Sequence, residues 1–276
     1  MTKAMAQNHV DGVGAMYDLH TDLFAEVLGG SMHVGYWSGA EDARPLAAAS
    51  AHMTGLVAER LALTPGQQVL DVGCGNGKPA VQVAADHGVH VTGITVSAYQ
   101  VRLARERPYP ADRPGQVSFQ LADATKLPDD DASFDSAYAI ESLLHMDDKD
   151  AALGQLARVL RPGARLVIAD FCLDALVGER DAQLIAHMRE IFRISAIPTM
   201  DDYSMRLRRA GFTVLDLTDV RENVRRTYDL VAQGFRQTVG QLDGELAAQL
   251  AGSATVIDQI GAVQPLGYLL ITAVRQ

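Results

Sequence analysis

The stretch AIESLLHMDD, residues 139–148, ends an apolar run and sets Glu141 and His145 four residues apart where a strand should finish. An imidazole with an ordinary pKa near about 6.5 can take a proton at neutral pH, so the pair points to acid–base chemistry. A second stretch, VLDVGCGNGKPA at residues 69–80, reads as a buried strand, a glycine turn and the start of a helix. Without Cβ atoms the turn lets backbone approach a ligand, and the helix presents its first N–H groups to the same space. The glycines fall as G-x-G-x-G, and the second strand ends at Ile94-Thr95. A dehydrogenase needs an Asp or Glu at that strand end to hold the NAD ribose, so that chemistry loses its key residue.

These residues must be carried by a scaffold, and the chain supplies an alternating one. Apolar runs QQVLDVG, VHVTGI, VSFQLA, FDSAYAI, ARLVIADF, FTVLDL and GYLLITAV alternate with helical patterns from about Gln67 onward. That alternation predicts an α/β sheet of seven strands with helices on both faces. Residues 1–65 hold no convincing strand but show helical patterns at Gly14 to Leu28 and Ala40 to Leu61, which predicts a helical cap ahead of a core spanning 66–276. The core carries two long insertions, at about 173–199 and 222–265. Leu184, Ile185, Met188, Ile191 and Phe192 share one helical face in the first, and Val224, Tyr228, Val231 and Phe235 recur at helical spacing in the second. Insertions after strands commonly cover a site, and packing on the sheet is the plainer role for any one of these residues.

With 276 residues, 48% of them hydrophobic, the chain can bury a sizeable core in one domain. A formal net charge of -10 argues against nucleic acid, whose phosphates would be repelled. Cys74 and Cys172 are too few for a disulfide framework, the N-terminus lacks a secretion-signal pattern, and no apolar run reaches membrane-spanning length. The expectation is a soluble, cytoplasmic protein with a small-molecule partner. Oligomeric state is not readable from the sequence.

Leu70 to Gly77, together with LADATKLPDDDASFDSAYAIESLLHM, LARVLRPGARLVIADF and GYLLITAVR, resembles the class I S-adenosylmethionine-dependent methyltransferases. The resemblance implies a Rossmann-like sheet of order 3-2-1-4-5-7-6 with strand seven antiparallel, and S-adenosylmethionine as cofactor. GVGAMYDLHTDLF and MHVGYW are similar to the N-terminal motifs of the rebeccamycin sugar O-methyltransferase type of natural-product enzymes, of phosphoethanolamine methyltransferases and of mycolic acid cyclopropane synthases. By this resemblance Asp71, Gly73 and Gly75 belong to the cofactor turn. Thr95 and Gln100, in the G-x-T-x-S-x-x-Q pattern of the cyclopropane synthases, would hold the ribose hydroxyls. Asp123 would take the adenine amino group with Ala124 beside it, and Glu141, Tyr17, Gly35, Tyr36 and Trp37 would wall the methionine end. Asp123 could instead cap a turn, Gln100 could lie on the surface, and Trp37 could pack in a core.

A sulfonium methyl group is already activated, so the protein must align a nucleophile and exclude water, while a hydroxyl acceptor must also lose its proton. In phosphoethanolamine methyltransferases an acidic residue, three further residues and a histidine stand at this place, latched by a tyrosine of the N-terminal helix. Glu141, His145 and Tyr17 match. The rebeccamycin-type pattern has two adjacent histidines where this chain has Leu144-His145. His145 is the expected base, with a helix-start histidine bonded to backbone as its plainer role, and Asp170 in IADF, ending strand five, would orient the imidazole or serve as the base itself. The expected activity is methylation of a small molecule, most readily a hydroxyl of a natural product or its sugar. N- or C-methylation by positioning, a cofactor-bound cyclase without methyl transfer, and a non-catalytic binder are the rival readings. Asp147, Asp148 and Asp150 read as a helix start rather than a metal site. His33 reads as a loop residue that matters through its backbone, His187 as a boundary residue, and Arg206, Arg208 and Arg209 as a solvated patch.

Overall fold

The seven apolar runs form the seven strands. The computed structural model describes residues 3–174, 176–240 and 244–276, with the side chains of residues 3–9, 245, 246 and 249 outside the description. The chain opens with α1 (Lys3–Val27) and α2 (Leu46–Leu61), then runs β1 (Gln68–Val72), α3 (Lys78–His87), β2 (His90–Thr95), α4 (Ala98–Glu106), β3 (Gln116–Leu121), β4 (Phe134–Ile140), α5 (Lys149–Val159) and β5 (Leu160–Leu173). It continues through α6 (Glu179–Ile191), α7 (Met200–Arg209), β6 (Phe212–Asp219), α8 (Arg221–Val224), α9 (Arg226–Val239), α10 (Gly244–Ile260) and β7 (Leu266–Arg275).

Strand order is β3-β2-β1-β4-β5-β7-β6. The first five strands pair in parallel, and β7 runs antiparallel to both β5 and β6. Alternate residues divide between two cores, as the two-residue period of a strand requires. Val69, Tyr138, Val167 and Ala169 pack with Met53 and Val57 of α2 on one face. Leu70, Ala137 and Ile168 pack with Leu153 of α5 and Leu207 of α7 on the other.

β1 lies between β2 and β4, where the chain reverses its direction of travel across the sheet. The carboxyl ends of these strands bound a crevice, the usual ligand position in open α/β sheets. Ser97 begins α4 by accepting from the backbone N–H of Gln100 at 3.0 Å, and Asp148 begins α5 by accepting from Ala151 at 2.9 Å. Capping thus fixes where two chains leave the crevice.

The two helices ahead of the sheet have different surroundings. α2 buries Ala49, Met53, Val57 and Leu61 in the sheet's own core. α1 lies against α4 and α9. The insertions are helical, with α6 in the first and α8 to α10 in the second. A third apolar cluster gathers Val27 of α1, Val231 and Phe235 of α9, and Leu250 and Ile257 of α10 away from the sheet. The sequence pattern exposed only one helix of the second insertion, because α10, rich in Ala and Gly, carries a weaker stripe.

Candidate active site

A cavity of about 620 Å³ opens at the carboxyl ends of β1, β2 and β4. Its wall begins with the glycine turn. Gly73 has φ +80° and its missing Cβ would stand 2.3 Å from Cβ of Ser142, so only glycine fits between β1 and the turn after β4. Gly75, also left-handed, faces Met32 Cγ at 3.0 Å from the position a Cβ would take.

Asp71 lies at the end of β1, buried, with its Oδ2 unpartnered among the described residues. Burial pushes its carboxyl up to about 7, against the opposing effect of the Tyr138 hydroxyl. Across the crevice the Thr95 hydroxyl donates to Gln100 Oε1 at 2.6 Å, and Gln100 Nε2 donates to the Thr21 hydroxyl of α1 at 3.2 Å. Asp18, also on α1, accepts from the Ser97 hydroxyl at 2.5 Å and from the Tyr99 N–H at 3.0 Å. Asp123 and Ala124 line the far end. Asp123 Oδ1 caps the short turn that follows by accepting from Thr125 N at 2.9 Å, and Lys126 Nζ stands 3.4 Å from Oδ2.

A second cavity of about 120 Å³ meets the first. Tyr17, Met32, Glu141 and His145 line both. Apart from Thr227, the remainder of the smaller wall is apolar and aromatic, with Phe24, Leu144, Phe171, Phe192, Tyr228 and Phe235 among its residues. Glu141, at φ +48°, accepts on Oε1 from the Val34 N–H at 2.8 Å and the Tyr268 hydroxyl at 2.9 Å. Burial pushes its carboxyl up to about 8. The Tyr17 hydroxyl lies 2.7 Å from His145 Nε2, the two rings edge to face, while Nδ1 donates to the Arg193 carbonyl at 3.1 Å. A carbonyl can only accept, so Nδ1 carries a proton, and in the neutral ring Nε2 accepts from Tyr17. Burial holds the Tyr17 phenol well above its usual range.

Four of the expected site residues, Gly35, Tyr36, Trp37 and Asp170, lie elsewhere. Asp170 is fully buried and lines neither cavity. Its neighbour Phe171 faces the smaller cavity, so strand alternation sends Asp170 to the opposite face. There it accepts from the Tyr203 hydroxyl at 3.0 Å, from its neighbour's N–H at 2.8 Å and from the Leu144 N–H. It holds the backbone beside His145, not the imidazole, and burial pushes it up to about 7. Trp37 also lines neither cavity; it is buried, donates from Nε1 to the Arg44 carbonyl at 2.9 Å and lies under the Arg226 guanidinium. Gly35 donates from its N–H to the Thr227 hydroxyl at 3.0 Å and leaves no room for a Cβ against Ala49. The stretch 35–37 therefore ties the interhelical loop to α2 and the second insertion. Met32, His33 and Val34 are the loop residues that face the cavities. The His33 ring is itself buried and bonded to Val34 O and Thr54 Oγ1, and burial pushes its pKa down to about 4. Phe192 and Tyr228 were legible only as members of apolar stripes, and Phe24 only as the last residue of an N-terminal motif.

His187 is exposed, and Asp148 and Asp150 occupy the start of α5. Arg206 pairs with Asp150 at 2.6 Å. Among the described residues no group of three or more His, Cys, Asp or Glu is placed to hold a metal, and no helix is long and apolar enough to cross a membrane.

Residues 4–251 match the family model described as mycolic acid cyclopropane synthetase. The chain belongs to this family. It is 46% identical to the O-methyltransferase resE of Aspergillus sclerotiorum, over 95% of this chain and 96% of that one. It is 38% identical to the 27-O-demethylrifamycin SV methyltransferase of Amycolatopsis mediterranei, again over 95% and 96%. Among solved structures, the [4+2]-cyclase SpnF superposes with a TM-score of 0.78 at 33% identity, covering 95% of this chain and 94% of that one. The chain is an S-adenosylmethionine-dependent methyltransferase. The larger cavity fits that cofactor on its own terms: Gly75 puts bare backbone beside Met32 in its wall, the buried Asp71 Oδ2 lacks a partner among the described residues, and a hydroxyl–amide pair lines the same space.

Proposed function

We propose that this methyltransferase acts on a hydroxyl group of a largely apolar small molecule of natural-product type, with His145 as general base. The observation that carries this reading is the meeting of two unlike cavities at Tyr17, Glu141 and His145. In this reading Asp71, Gly73, Gly75, Thr95, Gln100, Asp123, Ala124 and Glu141 hold the cofactor, which supplies a methyl group already activated on sulfur. Thr95 and Gln100 would bond the ribose hydroxyls, and Asp123 the adenine amino group through Oδ2, which Lys126 Nζ also faces.

The acceptor occupies the aromatic cavity, where Phe24, Phe192 and Phe235 exclude water and align it. Its hydroxyl takes the hydrogen bond to Nε2 that Tyr17 makes in this structure. His145 then receives the proton as the acceptor oxygen attacks, and the Nδ1 bond to Arg193 stays in place while the ring becomes charged. α1 and the two insertions, which build most of the aromatic wall, serve as the cap that closes over the reacting groups. The relatives' printed names, both methylating at oxygen, support the same acceptor atom.

The similarity to SpnF favours one other reading, a cyclase that retains the fold. A base poised against a tyrosine hydroxyl speaks for proton removal instead. The deciding experiment incubates the protein with S-adenosylmethionine and a panel of apolar hydroxylated acceptors. Equal amounts of S-adenosylhomocysteine and O-methylated product establish the proposal. An isomerised acceptor with no S-adenosylhomocysteine establishes the cyclase.

A further inference from the structure

Among the described residues four non-glycine positions take positive φ, and two of them, Glu141 and Arg193, stand at this site. Left-handed backbone is disfavoured for a side chain such as arginine and is kept where surrounding contacts fix it. Arg193 follows the end of α6, where a left-handed residue commonly stops a helix and glycine is the usual choice. Here the stop also serves the site. Its carbonyl is turned onto His145 Nδ1 at 3.1 Å.

The following residues brace that contact from both sides. The Ser195 N–H donates to the Leu144 carbonyl at 2.8 Å, and its hydroxyl donates to Asp147 at 2.9 Å, so residues 193–195 grip the chain just before, at and just after His145. Arg189 of α6 reaches forward and donates from Nε to the Ser195 carbonyl at 2.8 Å. The Arg193 side chain is exposed. Its contribution at this point is made by the backbone.

We infer that Arg193 is a positioning residue, whose left-handed backbone fixes the Nδ1-protonated tautomer of His145 and so places the accepting lone pair on Nε2, toward the junction of the two cavities. The inference rests on the reading of His145 as base, and it makes the first insertion part of the base rather than only a cover. A wrong tautomer would present an N–H where the acceptor needs a lone pair, and a displaced ring would misalign the proton transfer.

The test reads the tautomer directly. Protein labelled with ¹⁵N-histidine is examined at about pH 8, above the ordinary imidazole range, with the His145 signals assigned from a His145→Gln variant. The wild type, Arg193→Gly and Arg193→Asn should all show Nδ1 protonated, since glycine and asparagine tolerate positive φ. Arg193→Val, which resists it, should lose that pattern and lower kcat by roughly 10- to 100-fold with S-adenosylhomocysteine affinity unchanged. Nε2-protonated His145 in the wild type overturns the inference. So does an Arg193→Val protein that keeps both tautomer and turnover. The tautomer is measured without turnover, so the positioning role is tested even where His145→Ala shows that another group takes the proton.

Discussion

The two cavities are built by opposite means. The larger takes much of its wall from short stretches at strand ends: Asp71 with Gly73 to Gly75, Ile94 to Val96 with Gln100, and Ala122 to Lys126. The smaller collects single residues from α1, α6, α9 and α10, with Leu144 and Phe171 as core contributions. Polar atoms at fixed backbone positions take a larger share of one wall, and interchangeable apolar side chains make up nearly all of the other. A site whose donors must stand at set angles on a rigid sheet tolerates little change, whereas an apolar chamber on inserted helices can be reshaped residue by residue while the larger cavity stays intact.

The sharpest break in this comparison falls at the junction. In its proposed role as base His145 acts in the chemical step, so replacing it by Ala should lower turnover by roughly 100- to 10,000-fold while S-adenosylhomocysteine titrates as in the wild type. Gly75→Leu should do the reverse damage. Its side chain would enter against Met32, and calorimetry should show cofactor binding weakened by roughly 10- to 100-fold. Phe192→Ala should leave the cofactor isotherm unchanged and raise the KM of the accepted substrate by roughly 10-fold, the effect of enlarging an apolar pocket.

Two smaller effects separate structure from function. Glu141 has a pKa raised by burial from 4.5 to about 8, so the unfolded chain loses this proton before the folded one does. Its contribution to stability is complete below about 4.5 and is lost as pH rises toward about 8. Glu141→Gln keeps an accepting Oε1 for Val34 and Tyr268 but cannot ionise. Thermal melts should therefore show the variant gaining on the wild type as pH goes from acid to pH 8, and parallel curves would refute the shift. The smallest effect belongs to Trp37→Phe, which loses the bond to the Arg44 carbonyl. It should cost about 1 kcal/mol of stability and leave cofactor affinity alone.

What the sequence disclosed follows from the same contrast. Strand runs are contiguous and their apolar pattern is local, so all seven were legible, and the glycine turn was too; Thr95 and Gln100, which line the same cavity, were singled out by a family resemblance. The junction was legible in part: Tyr17 and His145 are 128 residues apart, and their contact rests on a family resemblance, not on spacing. Asp170 lies off both cavities because β5 runs on to Leu173 and alternation turns Asp170 to the face opposite Phe171, which the apolar run alone does not show. Gly35 and Trp37 lie off them because a short motif can join helices as readily as it can touch a ligand. The aromatic wall was hidden since each Phe looks like core from its own helix, and only the packing of α1, α6, α9 and α10 brings them around one space.

β7 lies inside the sheet between β5 and β6 although it is the last strand of the chain. Tyr268, opposite Phe171 in that pairing, closes a loop of 127 residues when it bonds Glu141. Contacts so distant in sequence form slowly, because the entropy of closing the loop is lost before any pairing returns it. During synthesis, β1, its glycine turn and β2 leave the ribosome long before β7 exists. A chain still being made can therefore assemble the turn while the junction with the aromatic chamber lacks the hydroxyl that holds Glu141, and the reacting half is finished only when the last strand slides into its slot.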